Sequence, residues 1–297
     1  MRVPAQTDIQ ASRVVVKKGE PMLKHIIGLS AVMLLSTAAG WAQKLPERIA
    51  QAGVIKVGIE RDHPPMEYVD PTSGELVGFD VDLINAIAKE LGVKLEYVHS
   101  RFEGLTPNLQ SKRIDLIISG MYDTPARRGN FDFVDYLNAG AVFFTLDKNA
   151  EIQKPLDLCG KAVTANRGTS YPGSVEKWST ENCIPAGLPA IQVISDTDMA
   201  SEFLYLNQGR AVGSVQGTEA IPTVLASKEG PFRTLGGPFT NVKLGIGFRK
   251  EDPELRDAVL AAAEKVFAGG TYAELIAKWK LGASAIEKPA LNAGAAP

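Results

Sequence analysis

The chain has 297 residues, 45% of them hydrophobic and 22% charged, with a formal net charge of −2. That balance gives no basic excess for a nucleic-acid partner and no acidic block for a disordered chain, and the length leaves room for two packed lobes.

Residues 1–21, with Arg2, Arg13, Lys17 and Lys18, precede Met22-Leu23-Lys24-His25, an apolar run Ile26 to Leu35, and a small-residue run Ser36 to Ala42. This is the layout of a secretory signal, cleaved near Ala42 with Gly40 at the minus-three position. Met22 makes a better start for it than Met1. The strongly apolar part is well short of the roughly 20 residues of a bilayer span, so a cleaved signal is favoured over a membrane anchor. No Cys lies near the cleavage point to carry a lipid. In an exported chain the pair Cys159 and Cys183 reads first as a disulfide closing a loop of about 25 residues, with two buried free thiols as the alternative. No metal site is expected, because His25, His63 and His99 show no ligand spacing around the pair.

From Leu45 a short helix is expected to Ala52, ended by Gly53, and then a strand over 54–60. Arg61 to Pro65 reads as a loop, because two prolines remove donors and fix φ. Polar residues at the C-terminal end of a strand in an open α/β sheet are ligand candidates, which singles out Glu60 and His63. A hairpin around residues 71–74 follows, then a helix with Val81, Ile84, Ile87 and Leu91 on one face, Asp80 placed as its cap and Gly92 at its end. Strand 94–99, helix 106–112 and strand 114–119 complete a β-α-β-α-β alternation. The last strand opens into Gly120, Tyr122 and Thr124-Pro125-Ala126-Arg127, where a close-approaching backbone and a planar cation suit a carboxylate.

Several of these stretches resemble the bacterial extracellular solute-binding proteins of family 3, the polar amino-acid binders of ABC importers. Gly78-Phe79-Asp80-Val81-Asp82-Leu83 resembles the family signature, Pro64 to Tyr68 its proline-aromatic loop, Phe102-Glu103-Gly104-Leu105 its pocket-aromatic segment, and Gly120 to Arg127 its carboxylate-binding loop. Further on, Asn166-Arg167-Gly168-Thr169-Ser170 is similar to its Gly-Thr loop, where backbone N–H groups meet the ligand carboxylate from the other side. The resemblance implies an α/β, two-lobe periplasmic-binding-protein fold of type II with two hinge crossings. Lobe 1 would comprise 43–139 and 245–282, lobe 2 140–244, with 283–297, rich in Ala and Pro, as a disordered tail. Strands at 132–136 and 141–146 lead into lobe 2, which continues with strand 162–165, strand 191–194, helix 197–208, strand 210–217 and strand 232–235; strand 244–249 returns. The last helices follow from Asp252 and from Thr271, which with Glu274 reads as a capping box.

The function so implied is capture of a small carboxylate-bearing solute, a polar amino acid first, in the periplasm, and delivery to the membrane permease of an ABC transporter. The binder would be a monomer and would need no cofactor. Arg127, Thr169 and Ser170 would hold the carboxylate, Phe102 would stack on the ligand body, Gly120 and Tyr122 would accept from an amine, and Glu60, His63 and Gln216 would line the side-chain end. The chain departs from the family at Gly217, where an Asp usually pairs with the ligand's α-ammonium, and at Tyr122, where a smaller Ser or Thr is frequent. Those departures keep open an organic-acid binder without α-amino recognition, and leave Glu60 either standing in for the missing Asp or marking a cationic ligand end. A dehydratase-like enzyme is the third reading, opposed by Ser170 and Tyr171 standing where such enzymes place an acid after the Gly-Thr pair.

Overall fold

The computed structural model describes residues 44–294, so the signal segment lies outside the described residues. Two sheets organise the chain. The larger has seven strands, with Ala290–Leu291, Phe131–Ala139, Val242–Arg249, Leu116–Ile117, Val54–Ile59 and Lys94–His99 in spatial order, and Tyr122–Asp123 also paired to Val242–Arg249. The smaller has five, in the order Gln192–Asp196, Ala162–Asn166, Gly213–Gly217, Ala141–Leu146 and Phe232–Thr234. In both, three neighbouring strands run parallel and the remainder antiparallel. In the parallel strands apolar residues recur at every second position, as Ile55, Val57 and Ile59 do on one fully buried face of Val54–Ile59. Their C-terminal ends deliver the loops that matter here, Glu60 after the first strand and Asn166 to Ser170 after the strand Ala162–Asn166.

The chain passes between the sheets twice. The first crossing is at Gly140, between Phe131–Ala139 and Ala141–Leu146, and the second follows Phe232–Thr234. The crossings touch: Ala141 N–H donates to Thr240 Oγ1 at 2.8 Å, and a Cβ on Gly140 would strike the Thr240 carbonyl oxygen. The return strand enters the larger sheet at Val242, three residues ahead of the expected boundary, because it pairs with Ala139 from its first residue.

Four local expectations are corrected. Asp62–His63 is a short strand, not a loop, since it pairs with Glu67 and Tyr68 in a small three-stranded sheet. The helix expected from Thr106 begins at Phe102, with Pro107 inside it. Asp80 does not cap the helix Phe79–Leu91, whose N-terminal neighbour is Gly78 at φ 143; its carboxylate turns inward and is fully buried. The Thr271–Glu274 capping box does not form, because Gly270 at φ 87 takes the cap position and Thr271 is already the first helical residue.

The tail is a further correction. Residues 283–294 are not a disordered extension: Ala290 and Leu291 pair with Asp135 and Val134 on the open edge of the larger sheet. Beyond them Asn292 Oδ1 accepts from Phe133 N–H, and the Gly294 N–H donates to Asp123. Cys159 and Cys183 are joined by a disulfide that ties the segment before Ala162–Asn166 to the end of the helix Tyr171–Asn182. Among the described residues no helix is long and apolar enough to cross a membrane.

Candidate ligand-binding site

Between the two sheets lies a cavity whose non-atom space, open solvent included, is about 390 Å³. Glu60, His63, Phe102, Gly120, Tyr122, Arg127, Thr169, Ser170 and Gln216 all line it, together with Ser119, Asn166 and Tyr171. Every residue singled out from the sequence is thus in one place, and the last three were missed. The loops holding Asn166 and Tyr171 were in view, but nothing in the sequence distinguishes a lining residue from its neighbour when a turn, not a repeat, sets the direction.

Lobe 1 supplies the cation. Thr124 Oγ1 accepts from the Arg127 N–H and Pro125 opens the one-turn helix Pro125–Arg128, which aims the Arg127 side chain back at the cavity. Its Nη1 donates to the Tyr122 carbonyl at 2.9 Å and its Nη2 crosses the cleft to the Gly168 carbonyl at 3.1 Å. The guanidinium carbon stands 5.4 Å from the centre of the Phe102 ring. No carboxylate among the described residues lies within ion-pair range of it. Burial alone pushes its pKa down to about 10. A desolvated guanidinium met only by carbonyls and a ring has capacity for an anion.

Opposite it, the N–H groups of Thr169 and Ser170 have no acceptor among the described residues, while the Thr169 hydroxyl is used within its own turn, donating to the Asn166 carbonyl and accepting from Tyr171 N–H. Gly168, at φ +82, brings this turn against lobe 1, and a Cβ there would fall 2.8 Å from Glu103 Cα. Glycine is required by both the backbone and the space.

Beneath Gly120 is a buried acidic platform. Gly120 N–H and the Tyr136 hydroxyl donate to Asp80 Oδ2 at 2.8 and 2.9 Å, and Ser119 Oγ donates to Glu67 Oε1 at 2.6 Å while accepting from Glu60 N–H. Burial raises both acids, Asp80 to about 7 and Glu67 well above its usual range, the latter also through the charge of Asp80 beside it. The Asp80 of the signature stretch therefore holds the glycine loop in place from below. Glu60 accepts from Phe102 N–H at 2.7 Å and is pushed up to about 7, chiefly by burial and then by Asp62. Across the cleft, Gln216 Nε2 donates to the buried Glu202, leaving Gln216 Oε1 without a partner. Tyr122 and Tyr171 meet edge to face at the back, with ring centres 5.5 Å apart.

A cavity at the strand ends of two α/β lobes, with a cation on one wall and unpaired backbone donors and an amide acceptor on the other, defines a two-lobe solute-binding protein of type II. Residues 55–282 match the bacterial extracellular solute-binding proteins, family 3, and the chain belongs to that family. It is 30% identical over 266 residues to the histidine-binding periplasmic protein of Escherichia coli K12, covering 87% of this chain and 97% of that one. To the lysine/arginine/ornithine-binding periplasmic protein of the same organism it is 31% identical over 268 residues, with the same coverage. Among solved structures, a mutant of ArgBP from T. maritima is similar at a TM-score of 0.71 and 33% identity, covering 81% of this chain and 99% of that one. An ancestral arginine-binding protein bound to arginine matches at 0.68 and 33%, covering 76% and 98%. The family is one of binding proteins, not enzymes.

Proposed function

We propose that the protein captures an amino acid with a basic side chain between its lobes, in the periplasm, and presents it to an ABC importer's permease. The observation that carries this reading is the Arg127 guanidinium, half-buried in the cleft with no carboxylate partner among the described residues, and across from it two backbone N–H groups of the other lobe that have no acceptor there. A ligand carboxylate satisfies both walls at once, so its binding favours the closed arrangement over the open one, and closure is the signal a permease can read. Phe102 flanks the guanidinium and packs on the ligand body. Glu60, poised near neutrality, stands at the other end with His63, and a cationic side chain there draws its proton off. The names of the relatives, histidine-binding and lysine/arginine/ornithine-binding, point the same way.

The test is a thermal-shift screen of the proteinogenic amino acids. A ligand at about 100 times its dissociation constant adds nearly 3 kcal/mol to stability, a clear shift in melting temperature. Arginine, lysine or histidine is expected to give the largest shift; a screen in which no amino acid shifts the melt contradicts the reading.

A further inference from the structure

With Gly217 where the family carries an Asp, the ligand's amino group has no partner at the expected position. Glu219, two residues further on, is 1% exposed, and neither of its carboxylate oxygens has a hydrogen-bond partner. Its near cation is His63, with Nε2 3.8 Å from Oε1, beyond hydrogen-bond reach. The turn after the strand Gly213–Gly217 fixes its direction: Thr218 N–H donates to the Gly140 carbonyl at the hinge, and Ala220 N–H to the Gly217 carbonyl, each at 2.9 Å. The side chain folds back over Gly217, so that a Cβ on that glycine would overlap the carboxylate. A side chain at 217 and the observed Glu219 exclude one another. The glycine is what admits this carboxylate to the space beside it.

Around Glu219 stand residues that line the cavity. His63 is one. Tyr122 and Tyr171 are two more, since both phenols are held well above their usual range first by burial and next by the charge of Glu219. Gln216 Oε1, on the adjoining strand end, is a further buried acceptor without a donor. A desolvated carboxylate and an orphaned amide oxygen are each costly unless a donor meets them. An ammonium group, with three N–H donors and a full charge, suits that set.

We propose that Glu219 is a ligand-binding residue, its carboxylate receiving the amino group of the bound amino acid with Gln216 Oε1, in the space that Gly217 leaves open. This rests on the amino-acid reading of the site and assigns the group that distinguishes an amino acid from a plain organic acid.

The experiment is calorimetric titration of the wild type and Glu219→Gln with two matched pairs: L-arginine against 5-guanidinopentanoate, and L-histidine against imidazolepropionate. Glu219→Gln keeps the shape and is expected to weaken the amino acid on the order of a hundredfold, by loss of a charged hydrogen bond, while changing the deaminated partner by less than about threefold. Equal losses for both members of a pair would make Glu219 only the counter-ion that positions His63, and unchanged amino-acid affinity would remove it from the site; either overturns the assignment. A rescue keeps the test independent of one variant's folding. Gly217→Asp combined with Glu219→Ala is expected to regain at least about tenfold in amino-acid affinity over Glu219→Ala alone, by returning a carboxylate to the same space. No regain also counts against the assignment. If the wild type binds neither L-arginine nor L-histidine while another amino acid binds, that amino acid and its deaminated form replace them; if no amino acid binds, the functional reading falls and Glu219 falls with it.

Discussion

The two walls of the cleft are built differently. Lobe 1 presents one cation, Arg127, over a buried hydrogen-bonded platform in which Asp80, Glu67, Ser119 and Tyr136 fix the Gly120 loop before any ligand arrives. Lobe 2 presents free N–H groups at Thr169 and Ser170 and unpaired acceptors at Gln216 and Glu219, the former held from behind by Glu202. At the cavity, lobe 1 thus meets a ligand with the charge of Arg127, whereas lobe 2 meets it with several groups that have no partner among the described residues. A zwitterion answers both walls, and neither wall alone holds it, which is why binding and closure are one event.

The comparison breaks most sharply at Arg127. Arg127→Met is expected to weaken any carboxylate ligand on the order of a thousandfold in calorimetry, because it leaves the ligand anion buried without a partner. The same substitution should hold or raise the melting temperature of the ligand-free protein, since burial already disfavours the charged form there. A variant that binds normally would remove the carboxylate assignment.

Lobe 2 depends on its cross-link. The disulfide Cys159–Cys183 spans 24 residues and brackets the turn with the free N–H groups. Cys159→Ser should cost about 3 kcal/mol in denaturant unfolding under oxidising conditions and nothing under reducing ones. Equal stability of the two proteins under both conditions would show the bond to be absent in solution.

Glu60 sharpens the lobe 1 side through pH. Its carboxyl is raised from an ordinary 4.5 to about 7 in the folded, ligand-free protein, so between these values the folded state binds more protons than the unfolded one. Ligand-free stability should therefore be full below about pH 4.5 as regards this group and fall as pH rises towards 7, by at most roughly 3 kcal/mol. Glu60→Gln should flatten that slope, and the slope surviving unchanged would assign it to Asp80, Asp135 or Asp196. Binding of a cationic ligand should release protons near pH 6 to 7, measurable from the buffer dependence of the binding heat.

The smallest effect is expected at the rim. Arg167 pairs with Glu103 at 2.6 Å and Arg101 with Asp198 at 3.4 Å, both across the cleft and both largely exposed. Removing either by Arg→Ala should change ligand affinity by less than about fivefold, and less still at high salt. A larger loss would move these latches into the binding machinery.

Much of this was legible in the sequence because strand ends are legible. The runs ending at Ile59, Ile118 and Ala165 are apolar and β-branched, and the polar, glycine-bearing turns after them converge on one cleft. What failed to show had a tertiary cause. Asp80 looks like a cap one residue into its helix, and only the packing of Tyr136 and Gly120 turns it inward. The Ala- and Pro-rich tail has the composition of a free chain, but the open edge beside Phe131–Ala139 gives it hydrogen bonds to make. Glu219 does not stand out in the sequence, because only the turn made by Thr218 and Ala220 folds its carboxylate back over Gly217.

The most direct test of a zwitterion held between two unlike walls is calorimetric titration of L-arginine beside two masked forms, its methyl ester and its deaminated acid. Both masked forms are expected to lose at least about a hundredfold in affinity, the ester for want of Arg127 and the acid for want of the acceptor wall. An ester or a deaminated acid that binds as tightly as the amino acid would contradict the account.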